Sequence, residues 1–519
     1  MRKLIYNVLE TGQEASIKKR ANTIYLIEDQ WDDWFEYNTM YDLWIVDENL
    51  NKKYIGKIKI GQFNMEGKVR ANIPKKFEYL SSEFFSLGQD SYYYENIKNL
   101  NSSVRENIFK NLNDIAFDKN LFKKSYAENV TKKSLLRGIE KETVEKQFHR
   151  IATGGPRLVP YKFVYESYVE TKEETAIKMT FEIDPESFPP SNIHVLIGRN
   201  GVGKTRLITQ MINTILKNNR KSSNTFGTVF FAEDEDRYNE SFSKVIFTSF
   251  SAFDENKIIT RSTKYSRIGL PSNRRGKNEL DETIINSEDL RTLKLTNEFI
   301  QGFKECIFLK HEDLLKRALM TLSSDPIFDE AKFVEYCDKN NFDEDRLKEL
   351  FRRLSSGHKI IIFAITQLLS KVQEKSLVFL DEPEGHLHPP LLSAFIRALS
   401  DLLSELNGAA IIATHSPIIL QEVPKDCVWK LIRHGKISRA ERPQIETFGQ
   451  DIISLTSDVF GLEVDRSGFH KLLEELVKQH NDYHSVMKVL NYQLGTEGRA
   501  LLKTMFLLKK EETTDNAQT

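Results

Sequence analysis

A glycine-rich loop is the first feature of this chain whose residue types and spacing suggest chemistry. It lies between the apolar run 193–197 and helical sequence that begins near Arg206. Glycines in such a loop let backbone N–H groups wrap phosphate oxygens, and the following helix adds a favourable dipole. The pattern G-x-x-x-x-G-K-T therefore predicts a nucleotide site in which Lys204 reaches the β- and γ-phosphates and Thr205 holds Mg²⁺. The predicted binding residues are Asn200, Gly201, Val202, Gly203, Lys204, Thr205 and Arg206.

Two adjacent carboxylates follow a second apolar run downstream. The run covers 376–380, and Asp381 and Glu382 come directly after it. Asp381 is predicted to bind Mg²⁺ through water, and Glu382 to polarise the water that attacks the phosphate. Alone, an apolar run that ends in Asp-Glu fits a surface turn equally well. The phosphate loop upstream is what favours the catalytic interpretation.

The stretch 384–389 after these carboxylates brings a glutamate and two histidines close together. A metal cluster is one interpretation. However, His386 and His388 are two residues apart and precede prolines, whereas zinc enzymes place two histidines four residues apart on a helix. A loop that positions a dimer interface is therefore the favoured interpretation.

A short Ser-Ser-Gly segment precedes the apolar, helix-like run 360–365. Small hydroxyl residues and a glycine at a helix start form an anion site, and the phosphate loop of the same chain is far away in sequence. Ser355, Ser356 and Gly357 are therefore predicted to bind the γ-phosphate held by a second copy of the chain. A plain helix N-cap is the alternative.

A histidine ends another strand-like run, 410–414. Because His415 follows a core strand downstream of the paired carboxylates, it is predicted to contact the γ-phosphate. A purely structural histidine is the alternative interpretation.

The elements that must position these residues begin with an N-terminal mixture of short strands and polar helices. There, 43–46 and 54–60 flank an Asp/Asn-rich turn, which predicts a hairpin. After the breaker cluster 152–156, strands are predicted at 161–168, 176–183, 193–197 and 428–432. The predicted domains are an α+β region (1–155), an α/β domain (156–465) with a helical insertion at about 254–350, and a helical segment with a polar tail (466–519).

The overall composition excludes several classes of protein. The 519 residues carry 74 basic and 75 acidic side chains, so the net charge indicates neither a nucleic-acid nor a membrane partner. Three cysteines without CxxC spacing fit a reducing compartment and argue against a zinc knuckle or a disulfide scaffold. Since no run approaches the roughly 18–20 apolar residues of a membrane span, the chain is predicted to be cytoplasmic, without a membrane contact of its own.

One local segment is strongly charged. Residues 256–278 contain no acidic residue and seven basic ones, namely Lys257, Arg261, Lys264, Arg267, Arg274, Arg275 and Lys277. A solvated loop is one interpretation. The other is a nucleic-acid contact, whose binding would weaken steeply with salt.

The order of these motifs resembles the ABC-type ATPases of the SMC, RecF and OLD group, over roughly residues 158–440. The resemblance implies an α/β fold in which helices flank a mixed central sheet. It also implies ATP and Mg²⁺ as cofactors, ATP hydrolysis, and a homo-oligomer built from cassette pairs that close on ATP.

Within that group, the Asp-Glu-Pro-Glu-x-x-Leu-His-Pro run at 381–389 and the segment 446–462 look most like the Septu-type antiphage ATPases (PtuA), which also occur beside retrons. This narrower resemblance implies a switch subunit that controls a separate HNH nuclease, in some systems together with a reverse transcriptase and its DNA. Two other functions stay open. One is an SMC- or RecF-like ATPase that acts directly on DNA, and the other is the energising subunit of a transporter.

The chain departs from the group's pattern in three places. The glutamine loop expected after the second core strand is not evident, and 245–254 contains serines there. His358 stands where many signature motifs carry Gln or Glu. The sequence after His415 is too short for the Toprim domain of OLD nucleases, so no nuclease is predicted in this chain.

Overall fold

The N-terminal unit of the protein has its own hydrophobic core, formed by residues between Leu4 and Ala152. The computed structural model describes residues 4–13, 16–29, 36–67, 69–169, 175–217, 226–231, 242–249, 262–269, 287–307, 311–434, 437–461 and 468–515. The strands of this unit are β1 (Ile5–Leu9), β2 (Thr23–Glu28), β3 (Tyr37–Asn38), β4 (Met40–Val46), β5 (Lys52–Gln62), β6 (Val69–Arg70), β7 (Lys76–Phe77) and β8 (Phe84–Gly88). Its helices are α1 (Ser91–Lys98), α2 (Ser102–Asn111), α3 (Lys119–Ser125) and α4 (His149–Ala152), with π-helical turns at Thr131–Leu135 and Thr143–Phe148.

The main sheet of this unit has the strand order β7–β1–β2–β4–β5–β8, and β3 pairs separately with β6. The predicted hairpin is confirmed, because β4 and β5 pair antiparallel. The Asp47 carboxylate accepts the N–H groups of Asn49 and Asn51 at 2.8 Å each. Such a side-chain-to-backbone turn is what aspartate favours between strands.

The larger unit is built on two sheets. Its strands are β9 (Tyr161–Glu166), β10 (Lys178–Ile183), β11 (Ile193–Ile197), β12 (Thr228–Phe231), β13 (Val245–Ser249), β14 (Tyr265–Gly269), β15 (Leu377–Asp381), β16 (Ala409–Thr414), β17 (Val428–His434) and β18 (Ile437–Glu441). The central sheet has the order β14–β13–β15–β16–β11–β17–β18, in which only β18 runs antiparallel to its neighbour. A smaller antiparallel sheet has the order β10–β9–β12.

Helices cover both faces of the central sheet. They are α5 (Lys204–Lys217), α6 (Ser287–Glu305), α7 (Glu312–Leu322), α8 (Pro326–Ala331), α9 (Glu344–Arg353), α10 (Ser356–Lys371), α11 (Pro389–Glu405), α12 (Pro417–Leu420) and α13 (Ile452–Phe460). Alternate strand residues face opposite sides: Val195 packs with α10 and α11, and Leu196 packs with α5 and the small sheet. Continuous apolar strands such as β11 and β16 are therefore fully buried. The predicted α/β fold class is confirmed.

The insertion is helical, but it starts later than the predicted position 254. β14 lies inside the predicted insertion, yet it forms an edge of the central sheet beside β13. The helical part runs from α6 to α9. The physical reason is that β14 is an edge strand with only Ile268 buried, so it lacks the apolar run that marks the central strands.

Three helices follow at the C-terminal end of the described chain: α14 (Gly468–Gln479), α15 (Tyr483–Val489) and α16 (Thr496–Asp515). They enclose a small core that includes Leu473, Val486 and Leu502. The helix α16 ends at Asp515 and so includes the start of the predicted polar tail, residues 511–519. Within the described residues, no helix combines the length and the apolarity that crossing a bilayer requires.

The N-terminal unit docks where α10 and α11 end. Gln373, which follows α10, accepts hydrogen bonds from Thr143 Oγ1 at 2.7 Å and from Glu140 N at 3.2 Å. The neighbouring Glu374 pairs with Arg150 at 2.5 Å. At the end of α11, Glu405 accepts from Tyr92 at 2.5 Å. Polar contacts thus connect the N-terminal unit to the ends of both helices.

Candidate nucleotide-binding site

The registers of the central sheet bring the candidate residues to one edge. Ile197, which ends β11 before the glycine-rich loop, lies opposite Thr414 of β16. Asp381, which ends β15, lies opposite Ala413 on one side and opposite Ser249 of β13 on the other. Because these strands are parallel, their carboxyl ends meet at the same edge. The loop, the paired carboxylates and His415 therefore lie side by side.

Glycine is needed at three positions of the loop 198–205. A Cβ atom on Gly198 would lie 2.5 Å from the carbonyl oxygen of Leu431 in β17, which no real side chain tolerates. Gly201 and Gly203 have φ angles of +81° and +100°, which disfavour residues with a Cβ. Space is open around both of them. The backbone is thus free to approach a phosphate group closely.

Lys204 and Thr205 begin α5 directly behind this loop. Lys204 Nζ donates to the carbonyl oxygens of Gly198 at 2.8 Å and Arg199 at 3.1 Å, so the amine lies under the loop. Burial lowers the pKa of Lys204, and the carboxylates of Glu382, Glu384 and Asp381 oppose that shift.

Thr205 provides the link from the loop to the paired carboxylates. Its Oγ1 donates to the Asp381 carboxylate at 3.2 Å. A hydroxyl and a carboxylate oxygen at this separation are oxygen ligands of the kind Mg²⁺ prefers. The two residues predicted as metal ligands are therefore together, although they are far apart in sequence.

Glu382 has an unusual backbone conformation. Its φ and ψ angles are +46° and +58°, in the left-handed region that residues other than glycine rarely adopt. Its N–H donates to the carbonyl oxygen of Ala413 at 2.9 Å, which ties this strained residue to β16. The carboxylate lies 3.8 Å from His415 Nδ1 and is about half exposed. Strain of this kind concentrates at functional sites.

Glu384 is a residue of the site that sequence analysis did not assign. Its Oε1 accepts from Thr414 Oγ1 at 2.6 Å and from the backbone N–H of His415 at 2.9 Å, and it lies 3.1 Å from His415 Nδ1. Its Oε2 is buried without a hydrogen-bond partner among the described residues. The available signal was the second glutamate of Asp-Glu-Pro-Glu, three residues beyond the end of β15. Glu384 fixes His415 next to Glu382.

The Ser-Ser-Gly segment opens α10, as predicted, but not as a plain N-cap. Ser355 occupies the cap position and its side chain makes no capping hydrogen bond. Its Oγ instead lies 2.6 Å from Nδ1 of the buried His358. Ser355 and Ser356 are exposed. Among the described residues, the hydrogen bonds of this segment go to its own helix, and none reaches the loop 198–205.

The place of the missing glutamine is taken by a serine at the end of β13. Ser249 lies opposite Asp381 in the sheet register. Its hydroxyl is buried and has no hydrogen-bond partner within the described part of the chain. A buried, unpartnered hydroxyl beside the carboxylate predicted to bind Mg²⁺ is well suited to hold a metal-bound water.

The metal cluster considered for 384–389 is not formed by that loop alone. His388 Nε2 lies 3.1 Å from Asp325, a residue of the insertion. Of the basic segment 256–278, the structure describes only 262–269, where Lys264 pairs with Glu142 of the N-terminal unit at 3.0 Å. Lys257, Arg261, Arg274, Arg275 and Lys277 lie outside the described residues.

These features define a class of protein. The phosphate loop follows β11, the paired carboxylates follow β15, and one strand, β16, lies between the two. The chain therefore combines an α/β fold with the phosphate loop and paired carboxylates that are typical of P-loop ATPases of the ABC/SMC type. Over 541 aligned residues it is 37% identical to protein ea59 of Escherichia phage lambda, covering 98% of this chain and 99% of that protein. The chain belongs to the family of that phage protein.

Other comparisons cover parts of the chain. Residues 214–421 match the family described as "AAA domain, putative AbiEii toxin, Type IV TA system". The lipoprotein-releasing ATP-binding protein LolD of Buchnera aphidicola is 30% identical over 81 residues, which are 16% of this chain and 34% of LolD.

Two solved structures also match part of the chain. An ATP-binding cassette of an ABC transporter in its ADP form is 14% identical with a TM-score of 0.31, covering 60% of this chain and all of the cassette. The SMC head domain from Thermotoga maritima is 10% identical with a TM-score of 0.28, covering 55% of this chain and 99% of the head domain. Because these scores are low, the fold class rests on the sheet order and the phosphate loop.

Proposed function

We propose that the chain is the ATP-driven switch subunit of a cytoplasmic antiphage system and that it controls a separate effector nuclease. The observation that supports the switch is that the predicted ATP-contacting residues lie on two separate surfaces of the chain. Glu382, His415 and the phosphate loop share one sheet edge, whereas the exposed Ser355 and Ser356 open α10 and make no hydrogen bond to that edge among the described residues. A second copy of the chain supplies Ser355, Ser356 and Gly357, so the working unit is a pair.

Each residue of the site has a separate role in the proposed ATP hydrolysis. Lys204 exchanges its bonds to loop carbonyls for phosphate oxygens, and Glu382 accepts a proton from the attacking water. His415, held by Glu384, orients the γ-phosphate. Thr205 and Asp381 would hold Mg²⁺, and Ser249 would take the place of the missing glutamine. The bound ion would neutralise phosphate charge.

The helix α10 offers a route from the nucleotide to the N-terminal unit. Its first turn carries Ser356 and Gly357, and about 24 Å away, at 1.5 Å rise per residue, its end passes into Gln373. Gln373 is bonded to the N-terminal unit through Thr143 and Glu140. Closure of the pair moves the start of α10, and a rigid, buried helix carries that movement to the N-terminal unit. That unit is the proposed contact for the effector.

The biological setting rests on the comparisons. The description of the matched family includes the words "putative AbiEii toxin, Type IV TA system", and the relative that aligns over its full length comes from phage lambda. Both support a role in conflict between phages and bacteria. The Septu-type resemblance supplies the finer proposal of an HNH nuclease as the effector, with a retron reverse transcriptase and its DNA as a further component in some systems. The basic segment 256–278 is the proposed nucleic-acid contact.

The test is phage resistance of cells that express the chain with its genomic neighbours. Wild type should protect, and Lys204→Ala and Ser355→Ala should not, because one removes the phosphate contact in cis and the other the contact in trans. Glu335→Gln, at an exposed position of the insertion, is the matched control and should protect fully. Equal protection by wild type and Lys204→Ala would refute the switch.

A second measurement separates a switch from an ATPase that acts directly on DNA. Purified Glu382→Gln should hold ATP, hydrolyse it slowly and accumulate pairs that sediment as dimers. If the isolated chain instead binds DNA tightly at low salt and loses it steeply as salt rises, the direct DNA role is favoured.

A further inference from the structure

A chain of four side chains connects the start of α10 to the insertion and to the loop after the paired carboxylates. Ser355 Oγ lies 2.6 Å from His358 Nδ1, and His358 Nε2 lies 3.0 Å from Asp325 Oδ1. On the other side, His388 Nε2 lies 3.1 Å from Asp325 Oδ2. Asp325 and His358 are buried, while Ser355 and His388 are exposed.

The hydrogen positions in this chain follow from what each group is able to donate. Burial opposes ionisation of Asp325, but hydrogen bonds from His358 and from the N–H groups of Ile327 and Phe328 outweigh it and lower the pKa of the carboxyl. An ionised carboxylate only accepts, so His358 Nε2 carries a hydrogen. In neutral His358 the Nδ1 atom is then an acceptor, and the Ser355 hydroxyl must donate its hydrogen to it.

A phosphate group also only accepts hydrogen bonds. With neutral His358, Ser355 would present lone pairs to the phosphate, which is repulsive. With doubly protonated His358, Nδ1–H donates to Ser355 Oγ and the Ser355 hydroxyl hydrogen is free for the phosphate. The approaching negative charge itself favours the protonated ring.

We propose that His358 is a positioning residue for the trans phosphate contact, and that ATP-driven pairing takes up one proton from solvent at His358 of each site. Asp325 holds the imidazolium, and His388 holds the second oxygen of Asp325. Among the described residues, the groups that face His358 are Asp325 and the Phe328 ring from α8 and its cap, Ser355 from its own helix, and His388 from the loop before α11. The inference rests on the proposed pairing.

A metal site is the alternative interpretation of Asp325, His358 and His388, because their potential ligand atoms lie within 4.8 Å of one another. His388 Nδ1, however, accepts the N–H of Leu391 at 3.4 Å, where it caps α11. That bond places the hydrogen of neutral His388 on Nε2, which faces Asp325. His388 therefore presents an N–H group rather than the lone pair that a metal requires.

The experiment measures pairing of purified Glu382→Gln with saturating Mg·ATP by sedimentation at pH 6, 7 and 8. If pairing takes up one proton per site, raising the pH weakens pairing by up to about tenfold per site for each pH unit. Adding His358→Gln should flatten this dependence, since an amide donates without titrating. The titration of ATP itself is common to both proteins and cancels in the comparison.

A second variant and a direct proton count keep the test decisive. Adding Asp325→Asn removes the counter-charge, so pairing should need a lower pH. Calorimetry in two buffers of different ionisation enthalpy should count protons taken up by the parent protein and fewer by His358→Gln. Equal pH slopes with and without His358 would overturn the inference but leave the switch intact. No pairing at any pH would overturn both. Stoichiometric zinc in the purified protein, lost in Asp325→Asn, would make the cluster a metal site instead.

Discussion

The sharpest expectation concerns Glu384, which holds His415 but contacts neither the phosphate loop nor Thr205 in the described hydrogen bonds. Replacing it with glutamine keeps the shape of the side chain and removes its charge. Oε1 is still able to accept from Thr414 Oγ1 and from the His415 N–H, at distances of 2.6 and 2.9 Å in the native protein. The change therefore weakens the support of His415 without deleting it.

The size of the effect follows from these two bonds. A hydrogen bond to a charged group contributes about 1.5–3 kcal/mol and a neutral one about 0.5–1.5. Losing about 1 kcal/mol in each gives about 2 kcal/mol, or roughly a 30-fold decrease in turnover if the loss is expressed in the transition state. ATP binding should not weaken, because the substitution removes a negative charge near Lys204.

The assay is single-turnover hydrolysis together with equilibrium ATP binding, with Glu335→Gln as the exposed control. Glu382→Gln should lose more turnover than Glu384→Gln, since removing a general base costs about 10²–10⁴-fold. Turnover within about twofold of wild type in Glu384→Gln, or a loss of ATP affinity that accounts for the whole effect, would refute the reasoning for Glu384.

Four further outcomes are expected. Gly198→Ala should lower ATP affinity at least tenfold, since its Cβ would meet the Leu431 carbonyl, whereas Gly385→Ala, with open space around it, should bind normally in the same titration. Ser249→Ala should raise the Mg²⁺ concentration needed for half-maximal hydrolysis while leaving ATP binding without metal unchanged. Gln373→Ala should keep turnover within about threefold but lose effector control and make the N-terminal unit more sensitive to protease. Burial raises the pKa of Asp114 to about 7, so its protonated form contributes stability at low pH that is lost as pH rises through 7. Asp114→Asn should therefore flatten the fall in the free energy of unfolding between pH 5 and pH 8, a difference on the order of 2 kcal/mol.

The features that could be predicted from the sequence are those encoded by neighbouring residues. The phosphate loop, the buried strands β11, β15 and β16, and the hairpin β4–β5 are all local patterns, and local patterns are visible without a fold. β14 was assigned to the insertion because an edge strand with one buried residue carries almost no apolar signal.

Glu384 and Asp325 were not found for a different reason. Their roles depend on partners that are distant in the chain: Thr414 and His415 for Glu384, and His358 and His388 for Asp325. A carboxylate on its own gives no indication of such partners. The serine at the place of the glutamine loop was noticed, but its relation to Asp381 depends on the register of β13 against β15.

Both ends of α10 take part in contacts that matter for the proposed switch, and most of the helix between them is buried. Eleven of its sixteen residues are buried, so bending it would open cavities in the core, which costs several kcal/mol. The start of α10 therefore does not move independently of Gln373. Any displacement that a partner's phosphate imposes on Ser355 must either be absorbed in the hydrogen bonds of Gln373 to Thr143 and Glu140 or be passed to the N-terminal unit. Those bonds are polar and half-buried, so they are the weakest point on the route, and they are where coupling between ATP and effector is expected to be lost first.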